Sequence, residues 1–141
     1  MILIDTNVVL ASIRQPVTSQ DAVHHHRATA LLGDISTGTT QAIISEIVLH
    51  ECYYVLVMRD TSIGVAEFCS PFRRFLSWEG WAMGEAEVDV LASALDMLEE
   101  NPMLEFSDAV IASRAKAHDA ELATFDERLA KAYGGEIWSA S

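Results

Sequence analysis

Apolar positions along the chain follow two periods. The run Ile2-Leu3-Ile4 has no alternation and predicts a short strand buried on both faces, as in the middle of a parallel sheet. Ala42-Ile43-Ile44 predicts a second strand, and Gly80-Trp81-Ala82-Met83 a weaker third. Glu121-Leu122-Ala123-Thr124 and Glu136-Ile137-Trp138 predict two more near the carboxyl end. Helical spacing fills the intervals. It predicts a short helix over 8–13 and a second that starts after the polar Thr18-Ser19-Gln20-Asp21 and closes at Gly33. Longer helices are expected over 46–59 behind Ser45, over 63–76, and over 85–100 before Asn101-Pro102. A last one is expected over 108–118, capped by Ser107. Helices alternating with short strands argue for an α/β domain with a parallel sheet covered on both faces.

Four acids fall at informative places in this pattern. Asp5 stands at the carboxyl end of the first strand, the edge where open α/β sheets bind ligands. Asp126 follows the fourth predicted strand and repeats that position. Glu51 shares a helical stripe with Ile47, Val48, Tyr54, Val55 and Met58, so a buried carboxylate that needs a cation partner is expected there. Asp108 opens its helix, where the positive helix end favours the ionised form that a metal ligand requires. Strand-end, helix-face and helix-start carboxylates suit a hard divalent cation, which prefers carboxylate and water oxygens.

Composition narrows the reading. With 141 residues the chain is the size of one domain, expected to be a single unit over 1–141. Its longest apolar runs fall far short of the roughly 18 residues of a membrane span, and no secretory signal is visible, so a cytoplasmic protein is expected. Cys52 and Cys69 lack metal spacing and are expected as reduced core thiols. The three successive histidines, His24, His25 and His26, point about 100° apart on a helix and cannot converge on one ion. A net charge of −12 with nine Lys and Arg excludes a broad basic face. If the substrate is a nucleic acid, bound cations and a few residues such as Arg14, Arg114 and Lys116 are left to hold its phosphates.

The ordered set Ile4-Asp5-Thr6-Asn7, Leu49-His50-Glu51, Asp108-Ala109-Val110-Ile111-Ala112 and Leu122-Ala123-Thr124-Phe125-Asp126 resembles that of PIN-domain proteins. Single-domain chains of this size resemble in particular the VapC-type toxins of type II toxin-antitoxin pairs. The resemblance spans nearly the whole chain. It implies a three-layer α/β/α fold with a five-stranded parallel sheet. It also implies a metal-dependent endoribonuclease that leaves a 5′-phosphate and a 3′-hydroxyl. By that similarity Asp5, Glu51, Asp108 and Asp126 are the catalytic acids that hold Mg²⁺ or Mn²⁺, and Thr6, Asn7 and Thr124 orient ligands or water around them. It further implies an RNA substrate, a homodimer, and a cognate antitoxin that covers the acidic cleft with an inserted Arg or Lys. The chain departs from the family at Asp119, where Gly is frequent, but Asp tolerates the left-handed conformation such a turn requires.

Two other enzyme classes fit less well. A haloacid-dehalogenase type of phosphatase needs a second acid two residues after the first, where this chain has Asn7. A zinc protease needs the second histidine of H-E-x-x-H, and the position is Tyr54. The remaining alternative is a PIN-like module that has lost catalysis and acts through protein contacts.

Overall fold

The computed structural model describes residues 1–139. Strand β1 (Ile2–Ile4) leads through Asp5 into helix α1 (Thr6–Ile13), and helix α2 (Ser19–Ser36) follows. Strand β2 (Ala42–Ile44) leads in the same way through Ser45 into helix α3 (Glu46–Tyr53), which continues as a π-helical stretch, Tyr54–Arg59. Four more helices complete the chain: α4 (Val65–Leu76), α5 (Glu85–Glu100), α6 (Phe106–Ala117) and α7 (Glu127–Tyr133). Strands β1 and β2 are parallel, with Ile2 beside Ala42 and Ile4 beside Ile44. Both therefore end at one edge, and Asp5 and α3 start from that edge.

Local chemistry accounts for most of these boundaries. Thr18 closes a capping box at α2, its hydroxyl accepting from the Asp21 amide while the Asp21 carboxylate accepts from the Thr18 amide. Ser45 accepts from the Ile47 amide to start α3. Asp119 takes φ 50°, the left-handed turn expected of it, and Gly134 ends α7 at φ 89°. Helices α4, α5 and α6 pack in sequence, α1 packs on α2, and α3 touches both groups through α1 and α6. The core between them is rich in aromatic rings. Phe68 stacks on Phe72, Tyr53 meets Phe68 edge-on, and the Trp81 indole donates to the Phe75 carbonyl. Cys52 and Cys69 are buried free thiols, as expected. No described helix is long and apolar enough to cross a membrane.

The fold is α/β, but the sheet is smaller than the five strands expected. Among the described residues only β1 and β2 form a ladder, and the third predicted strand adds a single bridge from Trp81 to Ala42. The segment 121–124 bonds instead within the carboxyl-terminal region: the Trp138 amide donates to the Thr124 carbonyl, and the Tyr133 hydroxyl to the Ala120 carbonyl. Strand β1 is consequently paired on one edge only. Ile4 is buried, while Leu3 is 67% exposed, so the expectation of a strand buried on both faces is corrected.

Several helix boundaries move as well. Helix α2 runs through Gly33 to Ser36. Gly38, at φ 75°, makes the turn after it. Helix α1 begins at Thr6 rather than residue 8, and α6 begins at Phe106 behind Glu105 rather than behind Ser107. Helix α7 has no counterpart among the expected elements. It is only seven residues long, too short for its period to stand out from the flanking polar sequence.

Candidate functional site

Three of the four acids stand at helix starts, and Glu51 lies within α3. Asp5 is the cap residue of α1, and no backbone amide uses its carboxylate as a cap. The next residue, Thr6, is buried, and its hydroxyl donates to Glu51 Oε2 at 2.9 Å, across 45 residues of chain. This bond fixes one half of the site: the start of α1 and the middle of α3 meet at the carboxyl edge of the two strands. Thr6 thus positions the Glu51 carboxylate. Asn7 is exposed beside it and lines the α1–α2 groove.

Glu51 corrects the sequence reading in one respect. It does not lie on a buried face. Val48, Val55, Leu49 and Cys52 point into the core, whereas Ile47, Glu51, Tyr54 and Met58 are all exposed. The apolar stripe that suggested burial is split by the packing of α3, and its outer half is an exposed apolar strip interrupted by Glu51. The π-helical turns after Tyr53 also change the period, so spacing at 3.6 residues no longer assigns faces there.

The other half is built by α6 and α7, which pack together. Asp108 lies in the first turn of α6, near the Glu105 amide. Burial pushes its pKa above the usual aspartate value, more strongly than that amide lowers it; the negative charges of Asp126 and Glu105 push the same way as burial. Asp126 caps α7, its Oδ1 accepting from the Arg128 and Leu129 amides at 2.8 and 3.1 Å, and Thr124 Oγ1 accepts from the Asp126 amide at 3.0 Å. Thr124 thus holds the backbone that aims Asp126. Glu105 is a carboxylate near Asp108 that the sequence reading passed over. Its spacing of one helical turn before Asp108 was the available signal.

The donor set suits a hard divalent cation. All four acids offer oxygen, and among the described residues none of them is paired with a lysine or arginine, unlike Glu46, Asp60, Glu87, Asp96 and Glu99. Among the described residues, however, no three His, Cys, Asp or Glu side chains stand close enough to hold one ion together. The structure brings Glu51 to the Asp5-Thr6 corner and Asp108 toward Asp126, as two half-sites.

The basic residues divide by their partners. Arg114 sits between two carboxylates, bidentate to Glu87 and bonded to Glu46, so this cluster is net negative and a phosphate would have to displace acids to reach it. Arg114, expected to help hold phosphate, is thus engaged by acids of its own chain in this structure. Arg14 bonds Asp60 at 2.8 Å, but Asp60 also binds Arg59, which leaves that cluster net positive. Lys116 is exposed near the end of α6. A groove of about 370 Å³ between α3 and α6 is lined by Ile47, His50, Val110 and Ile111 and by none of the four acids.

A parallel strand pair, acids at its carboxyl edge and a second acidic corner on packed helix ends make up an α/β domain. The PIN domain family, whose fold is of nuclease type, matches residues 2–135, and the chain belongs to that family. Comparison with the curated proteins and with the solved structures gives no match.

Proposed function

We propose that the protein is a Mg²⁺- or Mn²⁺-dependent endoribonuclease whose catalytic acids are Asp5, Glu51, Asp108 and Asp126. The observation that carries the reading is the Thr6–Glu51 hydrogen bond, which ties a mid-chain carboxylate to the strand end bearing Asp5 in a chain of the PIN family. Among the described residues none of the four acids is paired with a lysine or arginine, which leaves their oxygens open to a cation. When bound, such an ion neutralises the phosphate and lowers the pKa of a water at the site. The chain's own residues supply the rest. Thr6 fixes the Glu51 carboxylate, and Thr124 and the first turn of α7 fix Asp126. Asp108 is held in the first turn of α6, on the same corner as Asp126.

Within this reading the protein is the toxin of a toxin-antitoxin pair. It acts on cytoplasmic RNA, forms a homodimer, and is silenced by an antitoxin that covers the acids. Support for a protein partner comes from the apolar side chains exposed around them: Ile47, Tyr54 and Met58 flank Glu51, and Phe125, 80% exposed, precedes Asp126.

A catalytically silent binding module is the second reading, favoured by the capping role of Asp126 and by the separation of the two half-sites. One experiment separates them. Purified protein incubated with a mixed RNA pool should cleave it with Mn²⁺, and should not do so with excess chelator or after Asp5→Asn. Absence of cleavage by the parent protein with Mn²⁺ would leave the binding module.

A further inference from the structure

Asn7 and His24 each line two adjoining cavities on the α1–α2 pair. One, of about 410 Å³, also takes in Arg14, Gln15 and Asp21; the other, of about 320 Å³, takes in Val8, Arg27 and Leu31. Ala11 is common to both, so the two form one groove along α1, beginning two residues from Asp5. Its charge is unlike the rest of the chain. Between Asp5 and Asp34 the only acid is Asp21, against Arg14, Arg27 and three histidines, in a protein of net charge −12. The Asp21 carboxylate is occupied by the amides of Val17 and Thr18. The Arg14 guanidinium shares Asp60 with Arg59 and so keeps a net positive charge at the far end. Arg27 and His24 are exposed.

We propose that this groove is the subsite that receives the single-stranded RNA leading away from the acids, an assignment that rests on the ribonuclease reading above. Cations along one wall meet the phosphates, and Asn7 offers an amide next to the reacting end. Leu10, Ala11 and Leu31 give an apolar floor that an unstacked base can cover. His24, standing at the junction of the cavities, presents a flat ring to such a base. Double-stranded RNA is recognised across wide, shallow surfaces, whereas a groove of this size between two helices admits one strand. The arrangement also accounts for how so acidic a chain engages RNA: the contacts are local, and Asp21 is the one acid lining the groove.

The test uses the full chain in chelator, where cleavage is off, with a fluorescein-labelled mixed-sequence single-stranded RNA followed by anisotropy over a salt series. Cleavage with Mn²⁺ is measured in parallel. His24→Ala with Arg27→Gln should weaken binding about tenfold or more and reduce the slope of log affinity against log salt by about 0.7 for each phosphate that is no longer neutralised. KM should rise in step while kcat at saturation holds. Arg74→Gln, on the exposed side of α4, should change neither. If the parent binds and cleaves RNA but the double variant keeps its affinity, slope and KM, the groove assignment is wrong and the nuclease reading stands. If duplex RNA binds as tightly as the single strand and the double variant weakens both alike, the single-strand assignment is overturned. A parent that neither binds nor cleaves RNA removes the ribonuclease reading and this inference with it.

Discussion

Thr6→Val isolates the bond that joins the two strand ends. Valine keeps the shape of a side chain only 5% exposed but deletes the hydroxyl that donates to Glu51 at 2.9 Å. A hydrogen bond to an ionised partner contributes about 1.5–3 kcal/mol when shielded, but Glu51 is open to water, which competes for its oxygen, so about 1 kcal/mol is expected here. Global stability should change little, since the buried methyl group offsets part of that loss. The larger effect falls on the cation. An untethered Glu51 must be ordered at the moment of binding, and removing such an orienting partner weakens metal affinity about 10–100-fold. We therefore expect Thr6→Val to bind Mn²⁺ about tenfold more weakly in calorimetric titration. RNA cleavage should be depressed by a similar factor at subsaturating Mn²⁺ and recovered at saturation. Thr6→Ser, which retains the donor, should behave as the parent. A Thr6→Val protein that binds Mn²⁺ and cleaves like the parent would show that Glu51 is not held for the cation by Thr6, and the two-half site would lose its central link.

Four further outcomes are expected. Because burial and neighbouring acids raise the folded pKa of Asp108, the metal-free folded state binds more protons than the unfolded one; stability is lost as pH rises from the unfolded value through the folded one, and the penalty is complete at neutral pH. Asp108→Asn should accordingly melt higher than the parent in chelator at neutral pH, lose that advantage at acid pH, and gain less from Mn²⁺; equal melting in all three conditions would refute the argument. Asp126→Asn keeps the cap of α7 and should abolish cleavage with little change in melting, whereas Asp126→Ala should also cost about 1 kcal/mol in denaturant titration. Gly80→Ala would drive a Cβ into the carbonyl oxygens of Ile35 and Thr40, so a loss of about 1–3 kcal/mol is expected in the same assay. Burial pushes the thiols of Cys52 and Cys69 up to about 12 and about 11, so neither should react with a thiol reagent at neutral pH until the protein unfolds.

What the sequence determined by itself was local. Ile2-Leu3-Ile4 and Ala42-Ile43-Ile44 carry their strand signal in consecutive residues, and Ser45 and the Thr18–Asp21 box carry their helix starts within one turn, so these were legible without a fold. The family was legible for a related reason. The four acids, with Thr6 and Thr124, stand in a fixed order beside recognisable strand and helix ends, and that order survives in the linear chain. Faces and partners were not legible. Whether Glu51 is buried depends on which side of α3 meets α1 and α6, and the 3.6-residue period cannot choose between two apolar sides, Val48-Cys52-Val55 and Ile47-Tyr54-Met58. Arg114 reads as a phosphate contact until packing delivers Glu46 and Glu87 to it from other helices, 68 and 27 residues away. The edge of β1 was undetermined as well, because ladder pairing is a contact between distant segments, and Thr124 and Ala120 accept instead from Trp138 and Tyr133 of the carboxyl-terminal region. Tertiary structure alone decided that the candidate acids stand as two corners, one tied by Thr6 and the other by the ends of α6 and α7, since only the packing of those helices sets how far apart their termini lie.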